Sequence, residues 1–304
     1  MKPGLLRALL RRFALALLLA GLAPAAYADP APLHPALWKV TRHGTTIWLF
    51  GTIHMLPPGA RWLTGPVAHA ADTADEIATE IDDPDGSATR LALAARSPLP
   101  PGEHLSALLP DDERAALTER LAQFGLGADR FDGEKPWYAA VALSTLPLLR
   151  RGFDAKTGVE AGLAARLAER KGAERKVVRT GIETPDGQLA ALDTLPRASQ
   201  LAYLKTVIDQ FDAIDGEIDA MFDAWGKGDA AGLARMMNED EGKDDPLLIQ
   251  RLILDRNRGF AAWIRARLAR PGTVFVAIGA GHLAGAGSVQ DVLAHSGIRV
   301  ERVQ

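Results

Sequence analysis

Two stretches of the chain share one hydrophobic pattern. Residues 46–50, Thr-Ile-Trp-Leu-Phe, carry no charge; Gly51 interrupts them, and His54 follows three residues later. Residues 273–278, Thr-Val-Phe-Val-Ala-Ile, run in the same way into Gly279 and then His282. A short uncharged run of apolar and β-branched residues that ends in glycine predicts a buried strand of the kind found in parallel sheets. The glycine allows a tight turn and close backbone approach, so each histidine is expected at a strand's C-terminal mouth, where open α/β sheets place their sites. A Gly/Pro-rich loop, an amphipathic helix and a further strand are expected after each histidine.

The remaining pattern fills in around these two units. Leu37–Val40 predicts a strand, and His43-Gly44 a hairpin turn into the strand that ends before His54. Pro57-Pro58-Gly59 makes a loop, and Pro66 occupies the favoured first turn of a helix. Glu76–Ile81 predicts the next strand, with Glu80 at its C-terminal end and at the same mouth as His54 if a crossover helix makes the strands parallel. Asp82-Asp83-Pro84-Asp85-Gly86 terminates that strand. Helical periodicity then covers roughly 88–95, 103–109, 111–124, 135–150 and 158–171, and after a short strand at Arg175–Arg179 it resumes over 186–270. Leu204, Ile208, Phe211, Ile214, Ile218, Met221 and Trp225 form one apolar stripe, with Gly216 inside it. Asp209, Asp212, Asp219 and Asp223 form an acidic row opposite, read as a solvated helix face rather than a metal-binding row. The fold class predicted is α/β, a central mixed sheet flanked by helices, with a large helical insertion over about 87–270 in a single domain, 29–304.

One helix breaks its own pattern. Ile249, Ile253, Phe260 and Ile264 define the buried stripe of the helix before the second histidine, and Arg256 and Asn257 fall within it. A buried guanidinium requires a paired, hydrogen-bonded carboxylate. Glu80, Glu160 and Glu183 are the candidate partners. Arg256 then either fixes packing through an Arg–Glu pair, or orients a ligand carboxylate or a site glutamate.

Composition and charge narrow the setting. Lys2, Arg7, Arg11 and Arg12 precede an apolar run, Phe13 to Leu22, and Ala26-Tyr27-Ala28 is an A-x-A cleavage site. This order predicts a signal peptide over 1–28, a mature chain from Asp29, and a periplasmic or secreted location without stable membrane insertion. Losing those four basic residues moves the formal charge from −3 to −7, which argues against a nucleic-acid partner. The chain has no cysteine, which excludes disulfides, thiolate chemistry and lipid attachment at a cleavage-site cysteine. Stability must therefore come from the core, and a chain of this length buries roughly three quarters of its unfolded surface.

The pieces Leu37-Trp38, Phe50-Gly51-Thr52-Ile53-His54, Gly158-Val159-Glu160, Ile182-Glu183-Thr184, Trp225 with Gly228-Asp229, Arg256-Asn257 and Gly279-Ala280-Gly281-His282-Leu283 occur in this order, with the strand and acid around Glu80 between the second and third. In this ordered set the chain resembles the TraB/PrgY/GumN family, whose animal relatives are the Tiki proteases, over nearly all of residues 37–303. The resemblance implies a Tiki-like α/β fold related to erythromycin-esterase and haem-binding ChaN-like proteins. It also implies a peptidase that depends on a divalent metal ion, Mn²⁺ or Co²⁺, with Zn²⁺ as a further option, and a peptide or protein substrate. Position by position, His54, Glu80 and His282 match the family's site residues, with Glu160, Glu183, Arg256 and Asn257 beside them.

Chemistry points the same way. Two neutral imidazoles and one carboxylate leave a coordination position for water, as catalytic metal sites require, and Glu160 or Glu183 could serve as general base. The chain contains no H-E-x-x-H and no G-x-S-x-G, which removes zincin and serine-hydrolase readings. Two other classes compete: a protein that captures a peptide or small ligand without cutting it, as for pheromone shutdown, and a haem- or metal-binding accessory protein. Each site residue also has a plain structural reading. His54 and His282 can be satisfied strand-end histidines, Glu80 a partner of Arg256, and Glu160 a complement to a helix dipole. His34, His69, His104 and His295 are expected at the surface, and His43 in the hairpin turn.

Overall fold

The hairpin forms at the expected dipeptide for a backbone reason. Strands β1 (Leu37–Arg42) and β2 (Thr45–Thr52) pair antiparallel, and His43 and Gly44 between them have φ values of 50° and 77°. Two consecutive positive φ values define the tight turn whose twist matches that of the flanking strands. From β2 the chain passes through α1 (Gly65–Thr73), with Pro66 in its first turn, into β3 (Glu76–Thr79). Strands β4 (Val178–Gly181), β5 (Gly272–Gly279) and β6 (Glu301–Arg302) complete a six-stranded mixed sheet of order β4-β3-β5-β2-β1-β6. The neighbouring strands β4, β3, β5 and β2 are mutually parallel; β1 runs antiparallel to both β2 and β6.

The computed structural model describes residues 31–83, 85–169, 176–236 and 246–304, and Pro32–Gln304 form one compact unit. The expected signal peptide, Pro84, the last residues of the helix predicted over 158–171, and Arg175 of the predicted strand lie outside the described residues. Among the described residues no helix is long and apolar enough to cross a membrane.

Side chains alternate across the sheet as its pleat requires. Ile47, Leu49, Val274, Val276 and Ile278 face one layer, with Phe260 and Ile264 from the last long helix and Leu293 packed over them. Phe50, Phe275 and Ala277 face the other, under Trp62, Val67, Val159, Leu163, Trp225 and Leu233. Most of these side chains are fully or almost fully enclosed, and each buried Val, Leu, Ile or Phe among them contributes about 1.5–3 kcal/mol. The predicted helices between β3 and β4 appear as α2 (Ser87–Arg96), α3 (Leu105–Leu108), α4 (Asp111–Ala122), α5 (Pro136–Arg150) and α6 (Val159–Glu169). Asp111, Asp112 and Glu113 occupy the first turn of α4, where the helix dipole favours negative charge.

Between β4 and β5 lie α7 (Pro185–Asp193), α8 (Arg197–Gln210), α9 (Ile214–Gly226) and α10 (Ala230–Ala234), then α11 (Pro246–Ile249), a π-helical turn over Gln250–Leu254, and α12 (Asp255–Arg267). After a 3₁₀ turn at Ala280–Leu283, α13 (Val289–His295) leads to β6. Leu105, Leu121, Leu143, Leu204 and Phe211 give α3, α4, α5 and α8 a core of their own.

Three local expectations need adjustment. The stripe from Leu204 to Trp225 spans two helices, broken between Gln210 and Ile214, so its apolar residues serve two cores. The strand expected at Arg175–Arg179 is displaced to Val178–Gly181. It is an edge strand with largely exposed residues, so pairing with β3 rather than hydrophobicity sets its register. β3 ends at Thr79, whose hydroxyl donates to the Ile81 carbonyl at 2.8 Å as the chain turns out of the sheet, leaving Glu80 just beyond the strand. The acidic row is an ion-paired surface: Asp209 meets Lys205, Asp212 meets Arg120, Asp219 meets Arg151 and Asp223 meets Lys227.

Candidate functional site

Register brings the two histidine motifs to one end of the sheet. Thr52 stands opposite Gly279, and Thr79 opposite Ala277 on the other side of β5. His54, Glu80 and His282 therefore leave the C-terminal ends of three neighbouring parallel strands. The segment carrying Glu160 docks on the first of these ends: the Val159 amide donates to the Ile53 carbonyl at 3.1 Å. Gly158 is required by close approach, since a Cβ there would stand 2.0 Å from the His54 carbonyl oxygen. The segment carrying Glu183 docks on the second end, where the Ile182 and Glu183 amides donate to the carbonyls of Thr79 and Glu80 at 2.9 and 2.7 Å.

Glu80 is the centre of the charged cluster. Its Oε1 accepts the Gly279 amide at 2.6 Å, and its Oε2 accepts Gln188 Nε2 at 2.7 Å and Arg256 Nη2 at 2.6 Å. Burial alone would push the Glu80 carboxyl up, but the charges of Arg256, His282 and His54, with the Gly279 amide, hold it down at about 2. Arg256 also grips Glu183 through both its Nε (3.0 Å) and Nη2 (2.7 Å). The buried guanidinium on the apolar stripe thus has two carboxylate partners, Glu80 and Glu183, and not Glu160. Burial works against its charge and these two partners outweigh it, so its pKa is raised.

The second histidine is enclosed. His282 is 5% exposed, stacks edge-on to Phe260 at 5.0 Å, and places Nδ1 2.7 Å from Asn257 Oδ1. Asn257 donates its Nδ2 to the Gly287 carbonyl at 2.8 Å, which orients the amide so that its oxygen faces the ring. His282 must then carry its proton on Nδ1, leaving an Nε2 lone pair 3.7 Å from Glu80 Oε1. Burial lowers the His282 pKa to about 4, helped by the Arg256 and His54 charges and opposed by Glu80, so the ring is neutral at pH 7. Gly279 keeps this corner open, because a Cβ there would stand 3.1 Å from Glu80 Oε1 and 3.4 Å from His282 Cδ2.

The first histidine has different surroundings. His54 is 66% exposed, and its Nδ1 lies 3.0 Å from Glu160 Oε1. That hydrogen bond raises its pKa to about 9, against desolvation and with added attraction from Glu160 and Glu80, although solvent at the exposed ring screens the effect. Glu160 is lowered in turn: desolvation opposes, and the His54 hydrogen bond and charge outweigh it. Gln188 and the Gly279 amide are contacts to Glu80 that the sequence pattern did not single out; Gln188 lies on the turn after the Thr184 N-cap of α7. Trp225 belongs to the site's support too, since its indole N–H donates to the Gly51 carbonyl at 2.9 Å.

The donor set suits a divalent ion chemically. Each imidazole has Nδ1 engaged by an oxygen acceptor, Glu160 or Asn257, which is the outer hydrogen bond that metal-ligating histidines use to present Nε2. Glu80 Oε1 and His282 Nε2, 3.7 Å apart, approach the separation of about 3–3.6 Å that two atoms bound at about 2.1 Å to one ion would take. As they stand, no three His, Asp or Glu side chains among the described residues form a ready ion-holding group. His54 lies within electrostatic reach of Glu80 and His282 while its ring is engaged with Glu160. The structure thus brings Glu80, Glu183, Arg256, Asn257 and His282 into one hydrogen-bonded cluster and seats the His54–Glu160 pair beside it.

Comparison with known proteins agrees with this ordered set of residues. No curated protein and no solved structure gives a match. The family model described as the TraB/PrgY/gumN family matches residues 36–302, nearly the whole chain, and the protein belongs to that family.

Proposed function

We propose that this protein is an exported hydrolase that depends on a divalent metal ion and acts on peptides, with His54, Glu80 and His282 as the ligands. The observation that carries this reading is that Nδ1 of both rings is engaged, by Glu160 and by Asn257, which leaves the Nε2 lone pair of neutral His282 for another partner and that of His54 for an ion that displaces its second proton. A bound Mn²⁺ or Co²⁺ ion, with Zn²⁺ as the alternative, would polarise the scissile carbonyl and bring the pKa of water towards neutrality. The protein's own groups have separable tasks. Arg256 holds Glu80 ionised and both Glu80 and Glu183 in place, and Asn257 holds the His282 tautomer. Glu183 commits both oxygens to Arg256, so Glu160 is the better proton acceptor and the candidate general base.

The test is calorimetric titration of Mn²⁺, Co²⁺ and Zn²⁺ at pH 7.5 into wild type, His54→Ala and His282→Ala. Loss of binding by at least tenfold in both variants is expected, and equal affinity in all three proteins removes the metal reading. Binding without cleavage is the second reading, favoured by the absence of a ready ion-holding group among the described residues. Hydrolysis of a peptide pool in the presence of the tightest-binding ion separates the two. Export rests on the order of basic, apolar and A-x-A segments before Asp29. The mature N-terminus read by mass spectrometry from a periplasmic fraction should be Asp29, and an intact Met1 form confined to the cytoplasm would end that part.

A further inference from the structure

Thr52 ends β2 two residues before His54, and packing alone does not account for its hydroxyl. Along β2, Trp48 and Phe50 turn towards the layer that holds α6, and strand alternation carries Thr52 the same way. Thr52 pairs with Gly279 of β5, and on that face a Cβ at Gly279 would stand 3.1 Å from Glu80 Oε1. The first turn of α6 is fastened directly beyond it. The Val159 amide donates to the Ile53 carbonyl at 3.1 Å, one residue past Thr52 on the strand and one residue before Glu160 on the helix.

The Thr52 hydroxyl is buried and makes no hydrogen bond of ordinary geometry among the described residues. It nevertheless lies close enough to Glu160 to favour the ionised carboxylate, as the Glu160 amide also does. A buried hydroxyl left without a partner is destabilising, and valine has the same shape without that cost, so threonine here needs a reason. Glu160 supplies one. Its Oε1 is engaged with His54 Nδ1, and a single hydrogen bond from a largely exposed ring leaves a carboxylate free to turn about it. A second donor on the rigid end of a strand would fix its plane.

We infer that Thr52 is a positioning residue for Glu160: its hydroxyl donates to the Glu160 carboxylate and, with His54, fixes the plane in which that carboxylate accepts a proton. The contact itself rests on the placement of Thr52 under the first turn of α6. What the carboxylate then does rests on the reading of Glu160 as general base.

The experiment compares wild type, Thr52→Val, Glu160→Ala and the double variant, each as full-length mature protein without metal, with circular dichroism to confirm that all four are folded. If the hydroxyl holds Glu160, Thr52→Val lowers the melting temperature by about 2–4 °C, and in the Glu160→Ala background the same change is neutral or raises it. A rise in wild type, or equal shifts in both backgrounds, overturns the contact. The second half uses a peptide that the Mn²⁺-loaded wild type cleaves. Thr52→Val should lower kcat at least about tenfold with KM and Mn²⁺ affinity held within about twofold, and Thr52→Ser, which keeps the hydroxyl, should restore kcat to within about threefold. Equal kcat in wild type and Thr52→Val overturns the positioning role. Coupling between Thr52 and Glu160 in a protein that cleaves no peptide keeps the contact and removes the hydrolase reading instead.

Discussion

His54 keeps 66% of its side chain exposed and shares its Nδ1 proton with a carboxylate, whereas His282 keeps 5% and shares its own with a neutral amide. The same Gly-x-x-His pattern, on strands that lie side by side, therefore yields one imidazole raised to about 9 and another lowered to about 4. The strand places each ring at the sheet's mouth. What the ring meets there comes from elsewhere in the chain, Glu160 in one case and Asn257 with Phe260 in the other. In such a pair the two rings divide the work, one held neutral and ready to donate a lone pair, the other exchanging protons with solvent through a nearby carboxylate.

The largest test of this contrast is on the enclosed side. Arg256→Ala leaves Glu80 and Glu183 without their shared cation, and should lower stability by about 3–5 kcal/mol in urea denaturation at pH 7. A comparable loss from His54→Ala would erase the distinction between a buried network and an exposed pair.

pH sharpens the contrast next, because the two shifts have opposite signs. His282 binds its proton more weakly folded than unfolded, so acid favours the unfolded chain. Metal-free protein should lose roughly 3 kcal/mol of stability from this group as pH falls from about 6.5 to about 4. Glu80, held at about 2, adds no loss until the pH falls below the ordinary carboxylate range of about 4.5. His54 binds its proton more tightly folded, so its contribution is complete below pH 6.5 and fades as pH rises towards 9. Urea denaturation across pH 4–9 should therefore show a maximum near neutrality, and His282→Gln should flatten the acid limb alone.

A smaller effect is expected at the amide. Asn257→Leu strands the His282 Nδ1–H and should cost about 1–3 kcal/mol; if the proposed metal site holds, it should also weaken metal affinity about 10–100-fold through loss of the fixed tautomer. The smallest is at the exposed pair. Glu160→Gln should bring the His54 pKa down towards 6.5 in an NMR titration, with less than about 1 kcal/mol of stability lost. An unchanged His54 titration would show that Glu160 is not what sets it.

Much of this arrangement is readable in the chain itself. The uncharged runs before Gly51 and Gly279 announce two buried parallel strands, and an arginine on an apolar stripe announces a buried ion pair. What is not readable follows from what periodicity records. It reports which face is buried, not which of three carboxylates will meet a guanidinium, so the choice of Glu80 and Glu183 over Glu160 depends on strand order. The displaced strand at Val178–Gly181 is an exposed edge with no hydrophobic alternation to mark it. The π turn inserts one residue per turn without altering composition, and Gln188 looks like any exposed helical glutamine until the Thr184 cap fixes where α7 begins.

The position of β5 has a consequence for how the molecule assembles. The hairpin of β1 and β2 and the pair β3–β4 flank it on opposite sides, so among the described residues it is the strand of 272–279 that joins the sheet's two halves. These residues pair with a strand more than two hundred positions earlier. Contacts of that separation carry a heavy loop-closure cost and slow folding. During synthesis the nascent chain can build its hairpin and its helical core first, and the keystone strand and His282 emerge after both. A ribosome-bound fragment ending before residue 272 would carry His54 with Glu160 and Glu80 with Glu183 and Arg256, but not the strand that sets the two groups side by side.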